Sequence, residues 1–154
     1  MRLYPHIVAA HTPAVKPEHA QFIGEIARQL ASVCAFLGGF AATFLGILLQ
    51  STSTRRHVGW AAGAAAIASV SFMIAVIAGT LVALALDPHA PENFATPQFL
   101  PWARGILLVS IGLGIHANLL SLGLSGWIRS RALGMVTSTA ALLSAVLVWT
   151  FIRF

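Results

Sequence analysis

Residues 30–49 read LASVCAFLGGFAATFLGILL, a run that contains no Asp, Glu, Lys or Arg. A helix needs about 20 mostly apolar residues to cross the hydrocarbon core of a bilayer. Three further stretches have the same character, and we predict spans at about residues 30–49, 58–86, 106–128 and 132–152. The predicted fold is an all-α integral membrane protein with four transmembrane helices, of which the first extends beyond the bilayer.

The composition of the whole chain agrees with this prediction. Hydrophobic residues make up 58% of the 154 residues and charged residues only 8%, whereas roughly 25% of the residues in a soluble domain are charged. Four acidic and nine basic side chains cannot cover a soluble domain of this size. An ordinary soluble enzyme and a disordered chain are therefore both excluded. The single cysteine, Cys34, also excludes a disulfide within the chain.

The chain divides into a polar N-terminal segment, residues 1–16, and a single four-helix transmembrane domain, residues 17–154. The N-terminal segment holds no apolar run of signal-peptide length, so we expect no cleaved signal. Pro17 suits the first position of a helix, and Glu18 suits its positive end. A helix from there to Gln50 measures about 50 Å. Its N-terminal end is therefore expected to project from the membrane.

The predicted loops are short and polar, and they comprise residues 51–57, 87–104 and 128–131. The prolines of the second loop, of which Pro101 is the last, prevent a continuous helix there. The third loop is so short that the last two helices should form a tight antiparallel hairpin. An even number of spans places both termini on one side of the membrane. Basic residues divide almost evenly between the two sides, so the positive-inside rule leaves the orientation open. The expected location is integral and multi-pass, in a plasma or bacterial inner membrane.

Small and weakly polar residues recur along one face of the first helix. This set, the α1 stripe, consists of Arg28, Ser32, Phe36, Gly39, Thr43, Gly46 and Gln50. Spacings of three and four residues keep the set on one helical face. Two interpretations remain open. The stripe is a surface for close helix packing, since Gly38, Ala42 and Gly46 form a row of small residues, or it lines a pore with charges at its mouth.

Catalysis is not predicted for this chain. The spans contain no carboxylate pair, no recognisable Ser/His/Asp set and no cluster of metal ligands. We therefore predict that the protein is not an enzyme and has neither a cofactor nor a metal site. The basic residues are scattered and flank apolar runs, as they do at membrane interfaces, which argues against nucleic acid as a partner.

Two polar residues lie within the third span. We predict that His116 is structural and forms a hydrogen bond to a neighbouring helix, with Ser69, Ser71 and Ser144 as candidate partners. Asn118 points to the other side of the helix. There it belongs to a second small-polar set that includes Ser110, Gly114, Ser121 and Ser125.

Residues 34–41, CAFLGGFA, resemble the ALLSGFA-type segment in the pore helix of Orai, the subunit of store-operated calcium channels. The plan of four spans with an extended first helix is similar as well. The resemblance implies a homo-oligomer, hexameric in its known members, whose first helices surround a central pore. Gly39 would match a glycine of the pore helix and Phe40 its hydrophobic neighbour. The chain has Ile47 where the family has the glutamate of its calcium filter, and Asn118 where it has a glutamate in the third span.

The expected function is a homo-oligomeric ion-conducting pore lined by the first helix, Orai-like in plan but without the acidic calcium filter. The alternative is a non-catalytic structural or accessory subunit of a larger membrane complex. The expected partners are the lipid bilayer, further copies of this chain and, under the alternative, another membrane protein.

Overall fold

A computed structural model describes residues 17–50, 56–87, 89–90 and 99–153. These residues form four α-helices, α1 (Pro17–Leu49), α2 (Arg56–Ala85), α3 (Phe99–Arg129) and α4 (Arg131–Arg153), and no strand occurs among them. The prediction of an all-α membrane protein built from four helices is confirmed. The predicted polar segment, residues 1–16, lies outside the described residues.

Three of the helices, α1, α2 and α3, are long and apolar enough to cross a membrane. The apolar stretch described for α4, Arg131–Leu147, is shorter. α1 has 33 residues, as its sequence predicts, and its length of about 50 Å exceeds the roughly 30 Å of hydrocarbon. α3 begins at Phe99, so the prediction that Pro101 lies in a loop is wrong. A proline in the first turn of a helix interrupts no backbone hydrogen bond, because the N–H groups there have no partner within the helix.

The helices pack in chain order, α1 on α2, α2 on α3 and α3 on α4. α2 and α3 are therefore the two inner helices, and alanines make up seven of the twelve buried residues of α2. Alanine lets neighbouring helix backbones approach closely, which is how membrane helices gain packing energy without a hydrophobic driving force between them. Gly79 of α2 shows the same close approach, since a Cβ added there would lie 3.1 Å from the Cβ of Ala31.

Phe72 occupies the centre of the three-helix core and has no exposed surface. On one side it meets Gly38 of α1, where an added Cβ would lie 3.2 Å from the Phe72 Cβ. On the other side its ring covers Gly114 of α3, where an added Cβ would lie 2.8 Å from Cε1. These two glycines therefore provide the space that one large side chain needs between α1 and α3.

α3 and α4 form the tight hairpin that the sequence predicts, with only Ser130 between them. The Ser130 hydroxyl oxygen accepts the backbone N–H of Leu133 at 3.1 Å and so caps α4. Next to the turn, Gly134 lies beneath the indole of Trp127, where an added Cβ would overlap the ring. The Trp127 Nε1–H donates to Ser138 Oγ at 3.0 Å, which ties the two helices together.

Candidate functional site

The α1 stripe lies on a surface of α1 that the other described helices leave open. Every member is exposed except Gly46, which is partly buried. A Cβ added at Gly39 or at Gly46 would meet no atom within 4 Å. The fold therefore places the predicted residues along one continuous open face, from Arg28 to Gln50.

α1 uses a different face to contact α2. This inner face consists of Ala27, Ala31, Cys34, Gly38 and Ala41. The row of Gly38, Ala42 and Gly46 is not a single packing surface, because Gly38 touches Phe72 whereas Ala42 is exposed. No other described helix of the chain packs against the stripe.

A third face of α1 carries large apolar side chains. Phe40 and Phe44 stack on it with their ring centroids 6.4 Å apart. Phe40, the expected hydrophobic neighbour of the pore glycine, therefore lies beside the stripe rather than on it. Phe36 is the large apolar member of the stripe itself and is 76% exposed.

The hydroxyl groups of the stripe donate to their own helix. Ser32 Oγ donates to the carbonyl oxygen of Arg28 at 3.2 Å, and Thr43 Oγ1 donates to the carbonyl oxygen of Gly39 at 2.9 Å. Such bonds to the preceding turn satisfy the hydroxyl proton and leave the oxygen lone pairs available as acceptors. Ser32 and Thr43 therefore present hydrogen-bond acceptors on this face while their own hydroxyl protons are satisfied.

Charged residues gather at the N-terminal end of the stripe. Arg28 Nη1 lies 3.5 Å from Glu25 Oε2, and both side chains are exposed. Asp87, just beyond α2, accepts the backbone N–H of His89 at 2.9 Å. This hydrogen bond lowers the pKa of Asp87 below its usual range, and smaller contributions come from the imidazole of His89 and the charge of Arg28. A cavity of about 240 Å³ opens between Arg28 and Asp87.

His116 differs from its prediction. Its Nδ1 lies 2.7 Å from the carbonyl oxygen of Gly112 on the same helix. The expected hydrogen bond to Ser69, Ser71 or Ser144 is not formed. The preceding carbonyl is within reach of the ring, and the residues of α4 next to Gly123 and Gly126 include Thr137, Ser138 and Ala141 but not Ser144. The ring is exposed and lines a cavity of about 280 Å³ between α3 and α4.

Asn118 lies on the face of α3 that carries the second small-polar set. Ser110, Gly114 and Ser121 of this set are buried, and Ser121 Oγ donates to the carbonyl oxygen of Ala61 in α2 at 2.9 Å. Asn118 Oδ1 is buried, and no donor among the described residues reaches it. The set thus joins α3 to α2 and differs in role from the open stripe of α1.

Comparison of the chain with models of protein families, with curated proteins and with solved structures finds no match. In the part of the chain that the structure describes, no three His, Cys, Asp or Glu side chains lie close enough together to hold a metal ion. The candidate site is therefore the α1 stripe, defined by its open geometry and by its weakly polar side chains.

Proposed function

We propose that the chain is the subunit of a homo-oligomeric, multi-pass membrane pore and that the α1 stripe lines the conduction path. One observation carries the proposal: weakly polar residues follow the length of the apolar span on a face that no other described helix covers. A single helix encloses no pore, so several copies would place α1 around a common axis. The resemblance of residues 34–41 to the Orai pore helix supports the same plan.

The side chains of the stripe define what such a pore offers to an ion. Thr43 and Ser32 supply oxygen acceptors, Phe36 supplies an apolar constriction, and Arg28 with Glu25 supplies charge at the mouth. No acidic residue occurs between Arg28 and Gln50. Between Arg28 and Gln50 the proposed pore therefore has no ring of carboxylates, the arrangement that serves cation channels as a filter.

Water access along the stripe tests the proposal. Single cysteines at Ser32, Gly39 and Thr43, in a Cys34→Ala background, are treated with a charged methanethiosulfonate reagent in liposomes. A charged reagent reacts with a thiolate in water, and lipid protects a thiol from it. We expect reaction at all three positions, and we expect modification of Thr43→Cys to reduce ion flux.

Thr80→Cys is the matched control. Thr80 is likewise exposed in an apolar helix, and its hydroxyl also donates to its own helix, to the carbonyl of Val76 at 3.0 Å. It should stay unreactive because it lies on α2, away from the stripe. Equal protection of Thr43→Cys and Thr80→Cys in an intact oligomer, with flux unchanged, would exclude a water-filled path along α1.

The second candidate is an accessory subunit that docks another membrane protein on the same face. The free space at Gly39 and Gly46 favours it, because a partner helix could approach the α1 backbone closely there. A chain that is monomeric when purified, and whose Gly39→Cys variant crosslinks to a different protein rather than to itself, would select this candidate.

A further inference from the structure

The end of the helical bundle opposite to Glu25 and Arg28 contains a further cavity. It has a volume of about 670 Å³ and is lined by Arg56, His57, Trp127, Ser130 and Arg131. These residues come from the start of α2, the end of α3 and the start of α4. The side chains of both arginines and of His57 are exposed to this space.

This cavity has no negative charge of its own. The sequence contains no acidic residue between positions 26 and 86 or after position 92. Glu25 and Asp87, the acidic residues whose side chains the structure describes, lie near the start of α1 and just after the end of α2. That is the opposite end of the helical bundle. Among the described side chains, therefore, neither Arg56 nor Arg131 has a carboxylate to neutralise it.

The helix ends at this cavity carry partial charges of both signs. α2 begins at Arg56 and α4 begins at Arg131, and the N-terminus of a helix carries roughly half a positive charge. α3 ends at Arg129 beside the same cavity, and its C-terminus carries roughly half a negative charge. The positive potential of the cavity therefore comes mainly from the two arginine side chains. Guanidinium groups bind phosphate through paired N–H···O hydrogen bonds.

The position of the cavity indicates where that phosphate would come from. It lies at the ends of apolar helices, at the level of lipid headgroups, and tryptophan is enriched at this level of a membrane. Trp127 lines the cavity, while Trp60 and Leu133 expose apolar side chains on the adjoining turns of α2 and α4. We propose that Arg56 and Arg131 bind the phosphate group of an anionic phospholipid, whose acyl chains lie along these apolar turns. The proposal does not depend on the proposed pore.

Lipid titration of the full chain in detergent tests this site. Phosphatidylglycerol or phosphatidylcholine is added, and native mass spectrometry counts the bound lipid. We expect preferential binding of phosphatidylglycerol and a loss of about 25-fold in affinity in the Arg56→Gln/Arg131→Gln variant. This factor follows from about fivefold for each basic side chain near an anionic surface. Both side chains are exposed, so the variant should keep the unfolding temperature of the parent in phosphatidylcholine.

The matched control is Arg104→Gln/Arg153→Gln, which removes the same charge at the other end of α3 and α4. It should bind phosphatidylglycerol as the parent does. An equal loss in both double variants would show general charge attraction and overturn the site, as would the lack of a preference for phosphatidylglycerol. Competition between inorganic phosphate and the bound lipid is the last measurement. If it displaces the lipid at comparable concentration, the cavity is a free-anion site and the lipid assignment is wrong.

Discussion

Gly38 and Gly39 are neighbours in the sequence, yet they belong to two opposite kinds of surface. Gly38 lies on the inner face of α1, against a phenylalanine with no exposed surface, whereas a side chain at Gly39 would meet nothing within 4 Å. On the inner face, a small residue is needed because a large side chain of the same chain fills the space. On the α1 stripe, small residues leave space that no other described residue fills. The same residue type thus lies in the core of the helical bundle in one place and on an open surface in the other.

The most direct test of the difference between the two faces of α1 is to add the same side chain at both glycines. Gly38→Val should destabilise the protomer by about 3 kcal/mol, because overpacking of a well-packed core costs about 1–3 kcal/mol. The Phe72 Cβ that the new side chain meets moves only with the α2 backbone, which places the cost at the upper end. Gly39→Val should leave the stability of the protomer unchanged and reduce ion flux. Unfolding in detergent and flux in liposomes measure the two effects.

The outcome that contradicts this prediction is a similar loss of protomer stability for both variants. It would mean that α1 is rotated relative to α2 and that the stripe is part of the core. A flux defect in Gly38→Val alone, with stability retained, would likewise reverse the assignment of the two faces.

A second test compares two glycines of α3: a Cβ added at Gly114 would meet the Phe72 ring, whereas a Cβ added at Gly112 would meet no atom within 4 Å. Gly114→Ala should cost about 1–2 kcal/mol, because the added methyl group overlaps a ring that has no space to move into. Gly112→Ala should be neutral or slightly stabilising, since alanine favours helix more than glycine does. Thermal unfolding of both variants gives the comparison.

Rescue identifies the cause of the Gly114→Ala defect. If the Phe72 ring is responsible, Gly114→Ala combined with Phe72→Leu should lose less stability than the two single changes added together. Strict additivity of the two losses would show that Gly114 is needed for some reason other than the ring.

The smallest expected effect concerns hydroxyl groups on the two kinds of surface. Ser121 has no exposed surface and bridges α3 to α2, so Ser121→Ala should cost about 0.6 kcal/mol, the average for hydrogen bonds between membrane helices. Thr43 donates only to its own helix, so Thr43→Ala should leave stability unchanged. Denaturation of the two variants in parallel separates them. A larger loss for Thr43→Ala would show that the stripe is packed within the protomer.

The sequence predicts the helices well because an apolar run long enough to cross a bilayer can be recognised from consecutive residues alone. The sequence places the start of α3 too late, because Pro101 resembles a helix breaker. In the structure Pro101 lies in the first turn of α3, where it interrupts no backbone hydrogen bond. The members of the α1 stripe were also predictable, since helical periodicity alone puts them on one face. Whether that face is covered depends on which helices become neighbours, and periodicity does not contain this information.

The same limit applies to the partners of individual side chains. His116 was expected to bond to a serine of another helix, but the carbonyl of Gly112 in its own helix lies within 2.7 Å of Nδ1. Span parity places Arg56 and Arg131 on the same side of the membrane, but a long stretch of sequence separates them and only the fold brings both to one cavity. A second signal in the sequence is the complete absence of acidic residues between positions 26 and 86.

The position of Phe72 between two glycines also has a consequence for the biosynthesis of the protein. Helices of a membrane protein emerge from the ribosome in chain order, so α1 and α2 pair while α3 is still being made. At that stage Phe72 has Gly38 on one side and lipid on the other, and its ring is covered only when α3 delivers Gly114. Arrival of the third helix therefore completes the core, and a nascent chain that stops before α3 leaves an aromatic ring exposed at the surface where α3 belongs.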